Sequence, residues 1–416
     1  MLSEKEISIV KSTVPALQEN GETLTRHFYL RMFEKNPEVR AFFNPANQAS
    51  GGQQQALAAA ICAYAANIDN LGALTGAVEV IAQKHASLQI KPEHYPIVGE
   101  NLLASIKEVL GEAATDEVID AWAAAYGVLT GILTGREREI YDEQAAAPGG
   151  WRDFKAFKVV KKEKESEVIT SLYLAPDDGA AVPPFKPGQY ISLRVPSEDG
   201  STTMRNYSLS GRPGEAHFRI SVKREAGLGV PDGYVSNLLH KSVDVGQTVE
   251  LAAPSGEFVL DQSTGSDRPL VLLAGGVGIT PVFSMLLVAL ETMPERDVRF
   301  IYGCLDEKHQ AFKAEIDRLQ NDHPNLKVHT RYSDRPSDET AKGVAVNVSD
   351  GFVDAELIES VVGQRDADYY FCGPKLFMAS VNRTLVGWNV PRSQIHFEFF
   401  GPKEDLEAPA SNATAA

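Results

Sequence analysis

The spacing of apolar residues along the chain changes near residues 149–151. Up to about Tyr141 the apolar positions recur at helical intervals, which predicts six or seven helices. The first helix is expected to start at Ser3, because Glu6 three residues later completes a capping box. Almost no stretch in this part alternates with a period of two. The first part of the chain is therefore predicted to be all-α.

After residue 151 the apolar residues occur in short β-branched runs separated by Pro and Gly. Strands are predicted at 157–161, 168–175, 190–195, 207–210, 217–223 and 248–251, and their polar connections indicate a small antiparallel barrel. From Pro269 onward, apolar runs at 270–274, 298–302, 327–332, 368–372 and 395–399 alternate with helical segments. That alternation predicts a parallel sheet with helices on both faces.

These patterns divide the chain into a helical domain at 1–148, a barrel at 151–262 and an α/β domain at 268–403. Residues 404–416 are acidic and then small, which predicts a disordered tail. The Gly149-Gly150-Trp151 segment is expected to act as a short tether between the first two domains.

Composition narrows the classes of partner. The 416 residues are 43% hydrophobic and 23% charged, with a net charge of −16 that argues against a nucleic-acid partner. Cys62, Cys304 and Cys372 lie far apart, which fits a reducing compartment and makes the cytoplasm the expected location. The first residues lack a signal-peptide pattern, and no run reaches the roughly 18 apolar residues that a membrane span needs. Neither a membrane span nor an obligatory protein partner is expected.

His85 is the candidate metal ligand of the helical domain, because it lies on an apolar helix face. Taken alone, such a residue is more often a core histidine bonded to a carbonyl oxygen. Gln53 and Leu57 share one helix stripe at i and i+4, Tyr29 brings a hydroxyl into another apolar stripe, and Phe43 adds aromatic bulk. An apolar pocket with few polar groups suits a bound diatomic molecule.

Arg205-Asn206-Tyr207-Ser208 is the candidate flavin motif, and it is expected to open a strand. Tyr207 can cover a flavin ring, Ser208 can donate to a ring nitrogen, and Arg205 can bind a pyrophosphate as a charged fork. Ser236 opens a predicted helix whose amide groups suit the same pyrophosphate. Tyr190 is equally consistent with barrel packing or with a flavin contact.

The segment 275–281 (GGVGITP) joins a strand to a helix, and its glycines let the backbone approach a phosphate. Cys372-Gly373-Pro374 follows another strand, at the sheet edge where open parallel sheets bind ligands. The type of nicotinamide stays open, because carboxylates and cations both occur where the adenosine ribose would bind: Asp306, Glu307, Lys308 and Arg331. NADH is favoured, with NADPH also used.

With these motifs in this order, residues 1–402 resemble the flavohemoglobins. The resemblance implies an all-α globin domain, then an antiparallel β-barrel FAD domain and a parallel α/β NAD(P)-binding domain of the ferredoxin-reductase-like type. It implies heme b, FAD and NADH or NADPH as cofactors.

The resemblance also assigns roles to individual residues. In the globin domain these are the proximal iron ligand His85, a proximal relay of Tyr95 and Glu137, the distal residues Tyr29 and Gln53, and the heme-pocket residues Phe43, Leu57 and Lys84. The implied FAD contacts are Tyr190, Arg205, Asn206, Tyr207, Ser208, Ser236, Glu398, Phe399, Phe400, Gly401 and Pro402. The implied NAD(P) contacts are Gly275, Gly276, Val277, Gly278, Ile279, Thr280, Cys372, Gly373 and Pro374.

The activity that the resemblance implies is nitric oxide dioxygenation, which detoxifies nitric oxide. Nitric oxide and oxygen would be converted to nitrate, with electrons from NAD(P)H passing through FAD to heme iron. One alternative is an oxygen store or sensor whose reductase keeps the heme ferrous, and Tyr95 with Glu137 argues against it. Another alternative is a flavin reductase with a heme-free helical domain.

Overall fold

The computed structural model describes residues 2–44, 48, 51–197, 200–227, 232–262, 267–334 and 347–401. The predicted tail at 404–416, the end of the predicted third domain at 402–403, and the predicted FAD contact Pro402 lie outside the described residues.

The first part of the chain is helical, as predicted. Its α-helices are α1 (Glu4–Ser12), α2 (Val14–Lys35), α3 (Gly52–Ala66), α4 (Thr75–Ser87), α5 (His94–Leu110) and α6 (Asp116–Ala146). The capping box of Ser3 and Glu6 starts α1 as expected. The apolar faces of these helices enclose one core around Leu24, Phe28 and Trp122. Two pairings position the candidate iron site: α2 packs on α3, and α4 packs on α6.

Helix α6 is the one helix among the described residues that is long and apolar enough, by length and composition, to cross a membrane. Such a helix was not predicted from the sequence, because charged residues interrupt its apolar run. Within the structure α6 packs against α1, α4 and α5, and it carries the buried Glu137. Core helices of globular domains meet the same test of length and composition.

The middle of the chain forms the antiparallel barrel. Its elements are β1 (Lys155–Lys164), β2 (Ile169–Pro176), β3 (Tyr190–Pro196), β4 (Thr202–Ser208), β5 (Phe218–Lys223), α7 (Tyr234–Lys241) and β6 (Thr248–Leu251). The strand order is β4-β3-β6-β1-β2-β5, and an antiparallel bridge between Leu209 and Ile220 joins the two ends of the sheet. Inward-facing apolar residues such as Phe157, Leu193 and Phe218 fill the interior.

The predicted start of β4 at residue 207 is wrong, since the strand begins at Thr202. The first residues of β4 are polar and exposed, so no apolar run marks them in the sequence. The motif Arg205-Asn206-Tyr207-Ser208 therefore forms the end of this strand, whereas it was expected to open it.

The last part forms the predicted parallel sheet. Its elements are β7 (Leu270–Gly275), α8 (Ile279–Thr292), β8 (Val298–Cys304), α9 (Lys313–Asp322), β9 (Leu326–Tyr332), β10 (Val348–Asp350), α10 (Ala355–Val362), β11 (Asp368–Cys372), α11 (Lys375–Gly387) and β12 (Ile395–Glu398). The order is β10-β9-β8-β7-β11-β12, with every pair parallel. Apolar clusters cover both faces of the sheet. The edge strand β10 was not predicted, because its three residues contain one apolar side chain.

The junction at residues 149–151 is a packed turn. Gly149 has a φ of 76°, and a Cβ atom there would overlap the carbonyl of Ala181. The indole Nε1 of Trp151 donates a hydrogen bond to the Leu251 carbonyl at 3.0 Å. Gln144, near the end of α6, donates to the carbonyl of Pro254 at 3.0 Å. The segment predicted as a tether is therefore held against the barrel.

Candidate functional site

Three helices bring His85, Tyr95 and Glu137 together. His85 Nδ1 lies 2.8 Å from Glu137 Oε1 and 3.1 Å from the Tyr95 hydroxyl. The Tyr95 hydroxyl donates a short hydrogen bond to the same carboxylate oxygen. Glu137 is 2% exposed although it carries a carboxylate, so these contacts provide the partners that a buried charge requires. Burial and the bond to Glu137 both raise the pKa of Tyr95.

This geometry fixes which nitrogen of His85 carries the proton. The carboxylate of Glu137 only accepts, so Nδ1 is the donor and Nε2 keeps its lone pair. Nε2 makes no hydrogen bond within the part of the chain that the structure describes. An imidazole held by a carboxylate in this way is the arrangement of a metal-ligating histidine. Among the described residues, no group of three or more His, Cys, Asp or Glu could hold a metal ion. A histidine is the protein ligand that holds heme iron in globins.

The predicted distal residues lie around Tyr29. Tyr29 is 6% exposed, and its ring packs against Phe43 with centroids 5.6 Å apart. Burial raises the pKa of Tyr29, and a hydrogen bond to the Gln53 side chain opposes this. Leu57, one turn further along α3, contacts the same apolar core. The Tyr29 hydroxyl and the Gln53 amide thus lie next to each other, beside the apolar side chains of Phe43 and Leu57.

Lys84, which was predicted in the heme pocket, extends toward the barrel. Its Nζ lies 5.5 Å from the centre of the Tyr190 ring. Burial lowers the pKa of Lys84, and the nearby carboxyl group of Glu398 partly opposes this shift. Burial raises the pKa of Glu398 to about 8, and the charge of Lys84 opposes this shift. Lys84, Tyr190 and Glu398 thus meet where the three parts of the chain join.

The candidate flavin motif is divided between two faces of β4. Tyr190 pairs with Ser208 across β3 and β4, and Asn206 lies on the same face as Ser208. Asn206 Nδ2 donates to the Ser87 hydroxyl on α4 at 3.3 Å, so this face meets the helical domain. Arg205 and Tyr207 point to the opposite face.

Two predicted pyrophosphate contacts already have partners within the barrel. Arg205 donates to the carbonyl of Met204 at 2.6 Å. The Ser236 hydroxyl donates to the Gly233 carbonyl at 3.0 Å and accepts from the amide of Glu225 at 3.2 Å. These contacts orient Arg205 and connect the start of α7 to the segment that follows β5.

The glycine-rich segment after β7 packs against the end of β11. A Cβ atom on Gly278 would overlap the carbonyl of Cys372, and one on Gly275 would lie 2.9 Å from Pro374. Gly276 differs, because it has a φ of 52° and open space beside it. Gly278 is therefore needed for contact between two loops, whereas Gly276 leaves its backbone open to a ligand. The predicted residues 277, 279 and 280 continue this segment into α8.

The end of β12 lies beside the end of β11, at the same edge of the parallel sheet. Glu398 is in register with Cys372 on β11, and its Oε2 is buried without a hydrogen-bond partner among the described residues. Phe399 packs against Phe397 with centroids 5.7 Å apart, while Phe400 is exposed and Gly401 follows it. A buried carboxyl oxygen without a hydrogen-bond partner fits a site that a bound ligand completes.

Two residues weighed for nicotinamide choice make contacts within the protein. Asp306 accepts from His309 Nδ1 at 2.6 Å, and Arg331 donates to the Ser349 hydroxyl at 3.2 Å. Glu307 and Lys308 lie in the short turn after β8.

Sequence reasoning missed the residues that join the helical domain to the barrel. Ser87 bonds to Asn206, and Gln83 accepts a hydrogen bond from the amide of Gly256 at 3.2 Å. Both lie within two residues of His85. The polar side chains at these two positions are the signal that the sequence offers, and solvent-facing helix positions carry the same residue types.

Three domain families match parts of the chain. The domain family described as Globin matches residues 26–133, the oxidoreductase FAD-binding domain matches 156–260, and the oxidoreductase NAD-binding domain matches 272–383. These matches define the class: a globin followed, in one chain, by FAD-binding and NAD-binding oxidoreductase domains. They confirm the predicted fold class and the predicted classes of cofactor.

The chain belongs to the flavohemoprotein family. It is 49% identical over 410 residues to the flavohemoprotein of Rhodopirellula baltica, which covers 98% of this chain and 100% of that protein. It is 49% identical over 403 residues to the flavohemoprotein of Bordetella pertussis, covering 96% and 99%.

Two solved structures are similar to this one. The flavohemoglobin of Malassezia yamatoensis, with bound FAD and heme, is 25% identical with a TM-score of 0.78 and covers 96% of this chain and 100% of its own. The FAD/NAD-binding domain of the nitric oxide dioxygenase of Vibrio cholerae is 36% identical with a TM-score of 0.54, covering 60% of this chain and 100% of its own.

Proposed function

We propose that the chain is a nitric oxide dioxygenase, which converts nitric oxide and oxygen to nitrate with electrons from NAD(P)H. The observation that carries this proposal is the contact of His85 Nδ1 with Glu137 and Tyr95. A carboxylate partner makes an imidazole a stronger electron donor, which favours activation of oxygen over its simple release.

Residues of each domain would hold one cofactor. His85 Nε2 would ligate heme iron beside Phe43 and Leu57, and the 275–278 segment would hold the nicotinamide dinucleotide. The FAD would contact Tyr190 and residues 205–208, with Glu398 and Phe399 beside it. When bound, NAD(P)H supplies a hydride, FAD converts it to single electrons, and heme iron uses those electrons to combine oxygen with nitric oxide.

The chain's own residues have defined tasks. Glu137 and Tyr95 orient the His85 ring and keep its proton on Nδ1. Tyr29, supported by Gln53, donates a hydrogen bond into the apolar pocket and holds a ligand that carries partial negative charge. Lys84 and Glu398 place two ionisable groups where the three domains meet, in surroundings where burial strengthens the effect of any charge they carry.

The proposal includes the three domains at 1–148, 151–262 and 268–403, and NADH as the preferred donor with NADPH also used. All the redox groups would reside in one chain, so the substrates are small molecules and no protein partner is required. Family membership favours a water-soluble protein, and we place it in the cytoplasm.

An oxygen store or sensor would not need a strongly donating histidine, and the buried Glu137 therefore favours the enzyme. Nitrate production with matched consumption of oxygen and NADH is the test. Stable oxygen binding with no nitrate produced would favour the store.

A further inference from the structure

The FAD-binding and NAD-binding domains meet at a buried arginine that no motif contains. Arg219 lies on β5 of the barrel, and its side chain is 7% exposed. Its NH1 donates to Glu315 Oε2 of α9 at 2.9 Å, and its NH2 donates to the carbonyl of Ser210 at 2.6 Å. One guanidinium thus bonds to both domains.

The same guanidinium lies beside two stacked aromatic rings of the NAD-binding domain. Its carbon lies 5.0 Å from the centre of the Phe312 ring and 5.4 Å from that of Phe283. The two rings are 4.4 Å apart and nearly parallel, at 5°. A desolvated guanidinium beside aromatic rings makes a favourable contact with them. The planar fork of arginine can make these contacts and the two hydrogen bonds together, which lysine cannot.

The backbone at Phe312 is held in an uncommon conformation. Its φ is 56°, in the left-handed region that residues other than glycine seldom adopt. Phe312 directly precedes α9, which carries Glu315. Such a conformation persists where surrounding contacts determine it, and here they are the Phe283 ring and the Arg219 guanidinium.

Phe283 connects this contact to the proposed cofactor site. It lies on α8, the helix that follows the 275–278 segment. Its neighbour Ser284 donates a hydrogen bond to the Gly211 carbonyl of the barrel at 2.7 Å. Ser210 and Gly211 lie just beyond Ser208, the last residue of the candidate flavin motif. The contact therefore links the end of the flavin strand to the start of the nicotinamide helix.

We propose that Arg219 is a positioning residue that sets the distance between nicotinamide and flavin for hydride transfer. This inference rests on the proposed function for its NADH-to-FAD step. Hydride transfer depends steeply on the separation of donor and acceptor, and a misplacement of about 1 Å can cost about 100-fold in rate. The domain contact acts on that separation and does not touch the reacting atoms.

The test compares Arg219→Met, Arg219→Lys and Glu315→Gln with the wild-type holoenzyme. Arg194→Met is the matched control, because Arg194 makes the same kinds of contact without reaching the NAD-binding domain. Arg194 pairs with Glu250 at 2.9 Å, and its guanidinium carbon lies 3.9 Å from the centre of the Phe154 ring. Flavin reduction by NADH is followed anaerobically, with NADH and with NADH deuterated at the transferred position. We expect the limiting rate in both Arg219 variants to fall by about tenfold or more, with a larger isotope effect and an NADH dissociation constant within about twofold of wild type.

Hydrogen–deuterium exchange gives a readout that is independent of activity. In the Arg219 variants exchange should rise in α9 and in β5, and it should stay unchanged in the globin helices. Glu315→Gln should show the same pattern more weakly, and it keeps the test decisive if Arg219→Met does not fold. Rates and isotope effects equal to wild type, or equal losses in Arg194→Met, would overturn the inference. If wild-type flavin is not reduced by NADH at all, the proposed function itself fails.

Discussion

Asn206 of the FAD-binding domain donates a hydrogen bond to Ser87 of the globin domain, with 3.3 Å between Nδ2 and Oγ. Ser87 in turn donates to the carbonyl of Lys84 at 2.8 Å, within the helix that carries His85. The strand with the candidate flavin motif is thus bonded to the helix with the candidate iron ligand. A contact of this kind holds two redox sites at a fixed separation.

Ser87→Ala removes this interdomain bond. We expect electron transfer from flavin to heme to slow by about two- to tenfold, because one neutral hydrogen bond contributes about 1 kcal/mol to holding the domains together. Flavin reduction by NADH should be unchanged. Stopped-flow absorbance separates the two steps. Ser360→Ala is the control, since Ser360 makes an equivalent bond to a helix carbonyl in α10, and a loss shared by both variants would contradict the prediction.

His85→Ala should abolish stable heme binding, because the imidazole is the proposed iron ligand. NADH-driven reduction of a dye should remain, since it needs only the other two domains. The absorbance of the purified protein at heme and flavin wavelengths measures both. His94→Ala is the control, as the His94 ring packs against Phe42 at 4.8 Å. Unchanged heme content in His85→Ala would show that another residue ligates the iron.

Glu137→Gln keeps the size of the side chain and removes its charge. We expect nitrate formation to fall by about 10- to 100-fold, the usual cost of losing a residue that supports a metal ligand. The iron–histidine stretching frequency of the reduced protein should fall as well, since the imidazole becomes a weaker donor. Glu139→Gln, at a mainly exposed position on the same helix, should change neither. A normal stretching frequency in Glu137→Gln would contradict the proposed role.

Glu398 should make the stability of the cofactor-free protein depend on pH. Burial raises the pKa of this carboxyl from 4.5 to about 8 in the folded chain. Between these values the unfolded chain releases the proton and the folded chain keeps it, so stability is full at low pH and declines as pH rises. Urea unfolding from about pH 5 to about pH 9 should show a smaller decline for Glu398→Gln than for wild type. The same decline in both proteins would contradict the prediction, and the exposed Glu291→Gln is the control.

Most of the fold could be predicted from the sequence because its elements follow simple patterns. The strand at 270–274 is apolar throughout because it lies in the centre of a parallel sheet, buried on both faces. The start of β4 and the whole of β10 escaped prediction, since their polar or short segments belong to sheet edges. Edge strands bury little apolar surface, and their sequences therefore resemble loops.

Some residues of the candidate site could be predicted from the sequence, whereas the contacts between them could not. His85, Tyr95 and Glu137 could be proposed from sequence by resemblance, but their contact depends on three helices that are distant in sequence. Lys84 was predicted in the heme pocket, and its contact with the Tyr190 ring could not be predicted from the sequence because it joins two domains. Arg219 carries no motif, because its importance comes from packing between two domains.

The central claim is that one chain carries electrons from NADH to nitric oxide dioxygenation. The most direct test reduces the protein anaerobically with NADH, then adds oxygen and nitric oxide while absorbance is recorded at flavin and heme wavelengths and nitrate is measured. The account predicts that flavin is reduced first and heme second. Nitrate should then form over many turnovers, in fixed proportion to the NADH and the oxygen consumed. Heme that stays oxidised after the flavin is reduced, or reduced heme that binds oxygen and yields no nitrate, would contradict it.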